Sequence, residues 1–222
     1  MRIDRARDAL LLVDLQHDFL PGGALAVARG DEILEPIARA APAFATVVAT
    51  QDWHPQGHVS FASSHPPRRP FEVLELPHGR QELWPDHCVQ GSPGAALHPR
   101  LPDRWVTLVL RKGTRPEVDS YSAFRENVGP DGQRPTTGLG AWLAARSIRR
   151  VFVAGLARDF CVRATALDAA AEGFEVVVLD DLTRAVFPER AAEVDAALAA
   201  AGVGRASSAE LGGGARQVPH AP

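Results

Sequence analysis

RRVFVAGLARDFCVRATALDAAAEGFEVVVLDDL (149–182) holds two short apolar runs on either side of a longer, alanine-rich segment. RRVFVAGLA (149–157) reads as a strand, DFCVRATALDAAAEG (159–173) as a helix and EVVVLDDL (175–182) as a second strand. A helix between two strands implies a crossover connection and parallel pairing. The pattern recurs toward the N-terminus. ALLLVDL (9–15), TVVATQD (46–52) and WVTLVLRK (105–112) read as further strands, the first an apolar run that ends in an acid, as buried parallel strands do. GDEILEPIARAA (30–41), TTGLGAWLAARS (136–147) and PERAAEVDAALAAAG (188–202) read as helices, although Pro36 weakens the middle of the first. SSAEL (207–211) reads as a last short strand, and 212–222 as a disordered tail. The expected fold class is therefore α/β, a doubly wound and mostly parallel sheet with helices on both faces, forming one domain over 1–211.

In such sheets ligands bind beyond the carboxyl ends of the strands. Strand one ends at Asp14, strand two at Asp52 and strand three at Lys112, and strand four runs into the turn before Cys161. Solvated loops would show Ser, Gly and Asn there instead. Lys112 stands out further, because it is the single lysine among 24 basic residues. Its ammonium is a point charge that a planar guanidinium does not replace. Cys161 lies near a helix start, which together with Lys112 predicts a partly ionised thiol at neutral pH, with an ionised Asp14 acting the other way unless it shares the thiol proton. Asp14 would accept its proton, making a Cys–Asp–Lys nucleophilic set. A buried structural cysteine, and a capping or salt-bridging Asp14, are the plain alternatives.

Asp52 and His54 are two apart in an extended segment, so their side chains share a side and suit a divalent ion. Spacing leaves the third ligand open among His58, His65, His87 and His98. The segment from 53 to 104 shows no sustained periodicity, and a loop that long is usually functional. Cys88 reads as an ordinary buried thiol.

VDLQHDFLPGGALAV, TQDWHPQGHVSFA, LWPDHCVQGSPGAALH, LRKGTRPEVDSYSAF and AGLARDFCVRATALDAAAEG resemble, in order, the successive motifs of the nicotinamidases within the isochorismatase-like hydrolases. The D-x-Q-x-D-F and G-L-A-x-D-x-C-V segments are shared across that superfamily, whereas Q-D-W-H-P and W-P-x-H-C are selective. The resemblance implies Asp14, Lys112 and Cys161 as the catalytic triad and Asp52, His54 and His87 as ligands of one divalent metal ion. Zinc is the first choice, with iron or manganese as alternatives. It also implies Ser60 in contact with the metal or its water, and Phe19, Trp84 and Tyr121 lining a pyridine pocket. Leu156–Ala157 matches a cis peptide, with the amides of Ala157 and Cys161 as oxyanion hole. The implied reaction is hydrolysis of nicotinamide, and of pyrazinamide, through a Cys thioester. His17 replaces a usual Asn at a non-catalytic position.

Another amidohydrolase of the superfamily, acting on N-carbamoyl or ureido compounds, would keep the triad without needing the three metal ligands. A silent binding protein on the same fold would be expected to have lost part of the triad. Composition narrows the partners. A net charge of −3 with interspersed signs argues against nucleic acid. The apolar run at the N-terminus is too short for a signal or a span. Two cysteines suit a reducing compartment, so the expected location is the cytoplasm, with a homo-oligomer left open.

Overall fold

The run that ends at the first acid is strand β1 (Asp8–Val13), and all six of its residues are buried. Leu10 and Leu12 face one hydrophobic core, while Ala9, Leu11 and Val13 face a second. Two-sided burial explains why the run does not alternate with polar residues. Each fully buried Leu contributes about 1.5–3 kcal/mol relative to exposure. The computed structural model describes residues 1–101 and 103–212, so the tail expected at 212–222 lies outside the described residues except for Gly212, which forms a bridge with Arg2.

The other strands are β2 (Thr46–Asp52), β3 (Val73–Leu76), β4 (Gly79–Glu82), β5 (Leu108–Lys112), β6 (Arg150–Leu156), β7 (Glu175–Arg184) and β8 (Gly204–Ala206). Six of them form one sheet in the order β5-β2-β1-β6-β7-β8. Every pairing in it is parallel. Helix α1 (Leu34–Ala40) covers the Leu10 face through Leu34 and Ile37. Helices α2 (Leu139–Ala144), α3 (Arg163–Ala171) and α4 (Ala191–Ala200) cover the other face through Leu143, Ala166 and Leu198. The doubly wound arrangement expected from the sequence is the one observed.

Several elements differ in detail. Gly30–Ile33 is a 3-10 turn that hands over to α1, which places Pro36 in the first helical turn, where no N–H bond is required. The expected last strand at 207–211 is instead a 3-10 turn closed by a capping box between Ser207 and Glu210, and the strand lies just before it as β8. Within 53–104 the chain forms an antiparallel hairpin, β3 with β4, that the irregular composition hides. Gly155 sits at φ +117, and a Cβ there would meet the Val13 carbonyl oxygen at 2.1 Å. Only glycine allows β6 to approach β1 that closely.

Candidate active site

Strand order puts the four expected strand ends side by side. Asp52 and Lys112 are register partners at the ends of β2 and β5. Asp14 follows β1, which lies next to β2, and Cys161 sits in the turn after β6, the other neighbour of β1. Lys112 Nζ lies 2.9 Å from Asp14 Oδ2, 2.9 Å from Asp52 Oδ1 and 3.5 Å from Cys161 Sγ. It also donates to the Ser120 carbonyl at 3.0 Å. The triad residues are thus brought together, all buried, around one ammonium.

Asp14 adopts φ +49, a left-handed turn that Asp tolerates. Thr50 Oγ1 donates to Asp14 Oδ1 at 2.6 Å and accepts from the Asp14 amide at 3.0 Å. Asp14 Oδ2 has no aligned hydrogen bond, although Lys112 lies close enough to form an ion pair. That oxygen is therefore left able to take a proton. Burial raises the Asp14 carboxyl above its usual range, with Asp52 adding to the rise and Lys112 opposing it. Burial also opposes the charge of Lys112, but Asp14 and Asp52 outweigh it and hold the ammonium well above its ordinary range.

The thiol corrects the sequence expectation. Burial pushes Cys161 well above the ordinary thiol range, and Asp14 and Asp52 add to the rise while Lys112 only partly offsets it. These surroundings favour the thiol form over the partly ionised thiolate expected from the sequence. Burial raises Cys88 in the same way, so charge state does not separate the two cysteines. Access does. Cys161 lines a cavity, whereas Cys88 is fully enclosed in the core.

Asp52, His54 and His87 come together as a buried set whose ligand atoms lie within 4.8 Å of one another. His54 Nδ1 faces the Gly113 carbonyl at 2.9 Å, and His87 Nδ1 faces the Pro85 carbonyl at 2.8 Å. A carbonyl only accepts, so each Nδ1 carries a proton, and it is the neutral ring that presents its Nε2 lone pair. Those Nε2 atoms lie 3.0 Å and 3.8 Å from Asp52 Oδ2. With both rings neutral, two imidazole nitrogens and a carboxylate oxygen converge as acceptors, which suits a divalent cation, and the residues fit one. Burial disfavours charge on Asp52, but His54 and Lys112 outweigh it and keep the carboxyl well below its usual range. Gly113 at φ +65 makes room for the imidazole, since a Cβ there would meet His54 Cε1 at 2.5 Å.

Gln16 was not singled out by the sequence. Its buried amide accepts from the Asp52 amide at 2.7 Å and donates to the Asp52 carbonyl at 2.7 Å, imitating a backbone pair. The D-x-Q spacing, an amide two residues past a strand end, was the available signal. Gln16→Ala leaves both Asp52 backbone groups unpaired. We expect zinc affinity, read by competition with a chelator, to fall about 10–100-fold. Unchanged affinity would show that Asp52 holds its position without this pair. Asp18 acts similarly on the loop of His87, accepting from the Cys88 amide at 2.7 Å.

Ser60 is placed beside His58, its hydroxyl 2.8 Å from Nδ1. His58 stacks on His54 with centroids 4.1 Å apart. Burial and the neighbouring His54 lower the pKa of His58 to about 4, so the ring is neutral. Phe19, Trp84 and Tyr121 line the cavity together with Cys161, Asp52 and His87. Trp84 Nε1 donates to Tyr121 Oη at 3.4 Å, and Phe19 meets His87 edge-on at 5.5 Å. Phe160 was missed. It packs edge-on against Trp84 at 4.8 Å and walls the same cavity. The Leu156–Ala157 peptide is cis, as expected, and Ala157 begins the turn that carries Cys161.

The Isochorismatase domain family matches residues 8–210. The chain belongs to the isochorismatase family. This isochorismatase-family chain is 45% identical over 187 residues to the nicotinamidase of Acinetobacter baylyi, covering 84% of the chain and 86% of that relative. Among solved structures it is similar to PnC1 from L. infantum in complex with nicotinate, with TM-score 0.84 and 41% identity over 95% of this chain and 98% of that one. It is also similar to the pyrazinamidase of Pyrococcus horikoshii in complex with zinc, with TM-score 0.72 and 35% identity over 90% and 99%. Among the described residues no helix is long and apolar enough to cross a membrane.

Proposed function

We propose that this isochorismatase-family enzyme is a metal-dependent nicotinamidase that converts nicotinamide and water to nicotinate and ammonia, and that it also accepts pyrazinamide. The observation that carries the reading is the cavity in which Cys161, Asp52, His87 and the four aromatic side chains of Phe19, Trp84, Tyr121 and Phe160 meet. A planar heteroaromatic ring suits such walls, and a carboxamide on that ring would reach the thiol. The relatives' names and the bound nicotinate of one neighbour support the same substrate class. This reaction recovers the pyridine ring for NAD salvage, and we assign it to the cytoplasm.

Asp52, His54 and His87 would hold the metal ion, and Ser60 would bear on it or its water. When bound, the ion supplies a Lewis acid for the ring nitrogen. Asp14 Oδ2 takes the Cys161 proton as the sulfur attacks the carboxamide carbon. The carbonyl electrons move onto oxygen, where the amides of Ala157 and Cys161 stabilise the charge. Asp14 then gives its proton to the nitrogen as the C–N bond breaks, releasing ammonia and leaving a thioester. Water attacks the thioester while passing a proton to Asp14, and the C–S bond breaks as the sulfur recovers that proton. Lys112 balances the anionic partners throughout.

The two thiols provide the test. Iodoacetamide should modify Cys161 before Cys88, inactivate the enzyme in proportion, and be slowed by nicotinate. Because the Cys161 thiol is raised, its thiolate fraction grows with pH. The labelling rate should therefore climb about tenfold per pH unit above neutrality. Peptide mapping reads the site. Labelling of Cys88 first with activity kept contradicts the nucleophile, and labelling of Cys161 that ignores nicotinate contradicts the pocket.

A further inference from the structure

The mechanism asks two backbone amides and one sulfur on a single short turn to hold their places against the reacting carbon. Inside the turn, the Ala157 carbonyl accepts from the amides of Phe160 and Val162 at 3.1 and 3.0 Å, so residues 157–162 move as one body. What fixes that body to the rest of the protein is a separate matter. Arg158, next to the Ala157 amide, points away from the cavity and is largely buried, with its side chain 11% exposed. Its Nη1 donates to Asp180 Oδ1 at 2.8 Å and to Thr183 Oγ1 at 3.1 Å, and its Nη2 donates to Asp195 Oδ1 at 2.8 Å. Asp180 and Thr183 belong to β7, and Asp195 to α4.

Arg205 of β8 closes the arrangement, reaching Asp180 Oδ2 at 2.9 Å and Asp195 Oδ2 at 2.7 Å. Two guanidinium groups and two carboxylates thus alternate in a ring that is neutral as a whole. Such a ring exerts little net field on the site but resists displacement strongly, because each carboxylate is held from two directions. The place it spans is also irregular. Between Val153↔Val178 and Gly155↔Thr183 the register of β6 with β7 shifts, so Asp180 falls on the excess segment of β7 and Thr183 stands where pairing resumes. The regular ladder is interrupted where β6 leads into the reactive turn, and Arg158 bridges that interruption.

We propose that Arg158 is a positioning residue for the acyl-transfer step, anchoring the turn of Ala157 and Cys161 to β7 and α4 through Asp180, Thr183 and Asp195. This rests on the nicotinamidase reading above. A displacement of the two amides weakens stabilisation of the tetrahedral oxyanion while leaving the aromatic walls and metal ligands untouched. Its signature is a loss in kcat rather than in KM.

The experiment compares steady-state nicotinamide hydrolysis and thermal unfolding for the wild type, Arg158→Ala, Arg158→Lys and Asp195→Asn. Arg158→Ala should lose about 10–100-fold in kcat, with KM within about twofold, since misplacement by an ångström is enough for such a loss. Millimolar guanidinium should restore part of the kcat of Arg158→Ala. Arg158→Lys should fall between, because an ammonium does not span both carboxylates. Asp195→Asn, which keeps an acceptor on α4, should show the same split at smaller size, and it carries the test if Arg158→Ala does not fold. An Arg158→Ala or Asp195→Asn enzyme with wild-type kcat overturns the role of Arg158. So does a KM that rises while kcat holds, or a loss that guanidinium does not touch and that follows only the folded fraction. A wild type inactive on nicotinamide overturns the nicotinamidase reading itself, and the positioning role falls with it.

Discussion

Cys161→Ala should abolish nicotinamide hydrolysis while nicotinamide still binds. The proposed mechanism assigns the covalent intermediate to this sulfur, and its removal should lower kcat by about four to six orders of magnitude. Affinity, in contrast, comes from groups the substitution leaves in place. Phe19, Trp84 and Tyr121 keep their positions around the cavity, as do Asp52 and His87. The change from thiol to methyl frees little space, and the turn keeps the bonds that the Phe160 and Val162 amides donate to the Ala157 carbonyl. Equilibrium titration of nicotinamide, followed through the fluorescence of Trp84, would then sit close to wild type. Residual activity above a few per cent would contradict covalent catalysis by this residue.

Lys112 should prove nearly as sensitive, and two substitutions separate its charge from its shape. Lys112→Arg retains the positive charge but introduces a planar group where Asp14, Asp52, the Ser120 carbonyl and Cys161 surround a compact ammonium. Turnover should fall at least about a hundredfold despite the unchanged charge. Lys112→Met goes further, leaving the buried carboxylates of Asp14 and Asp52 without their shared cation. Losing one member of a buried ionic cluster costs about 3–5 kcal/mol, so the melting temperature should drop sharply. Near wild-type turnover in Lys112→Arg would reduce Lys112 to a distant source of field.

Much of this site was legible in the sequence because parallel strands deliver their last residues to one edge. Asp14, Asp52, Lys112 and the turn before Cys161 could each be located by asking where an apolar run stops. Their mutual distances could not, since strand order decides them, and β5-β2-β1-β6 is set by crossovers whose destinations local pattern does not encode. The family resemblance singles out His87 where spacing leaves four histidines open, and the structure brings His87 together with Asp52 and His54. Gln16 and Phe160 went unnoticed for opposite reasons. A lone glutamine carries no charge to draw attention, and an aromatic beside a nucleophile reads as core.

Two readings failed on physical grounds. A helix start and a cation favour ionisation of Cys161, but burial depends on the whole fold, and here it raises the thiol more than Lys112 lowers it. The 207–211 segment was read as a strand although Ser207 and Glu210 carry the S-x-x-E spacing of a capped turn. The hairpin β3–β4 was hidden because its two strands are four residues each and largely solvent-facing.

The central claim is that a cysteine and a metal-ligand set in one cavity hydrolyse a pyridine carboxamide. Ammonia release from nicotinamide by the purified protein, with zinc, iron and manganese measured on the same sample, addresses it directly. The expected result is stoichiometric formation of nicotinate and ammonia, an ion bound at about one per chain, and loss of activity on chelation that added divalent metal reverses. Absence of ammonia from metal-loaded protein, or full activity in protein stripped of metal, would contradict it.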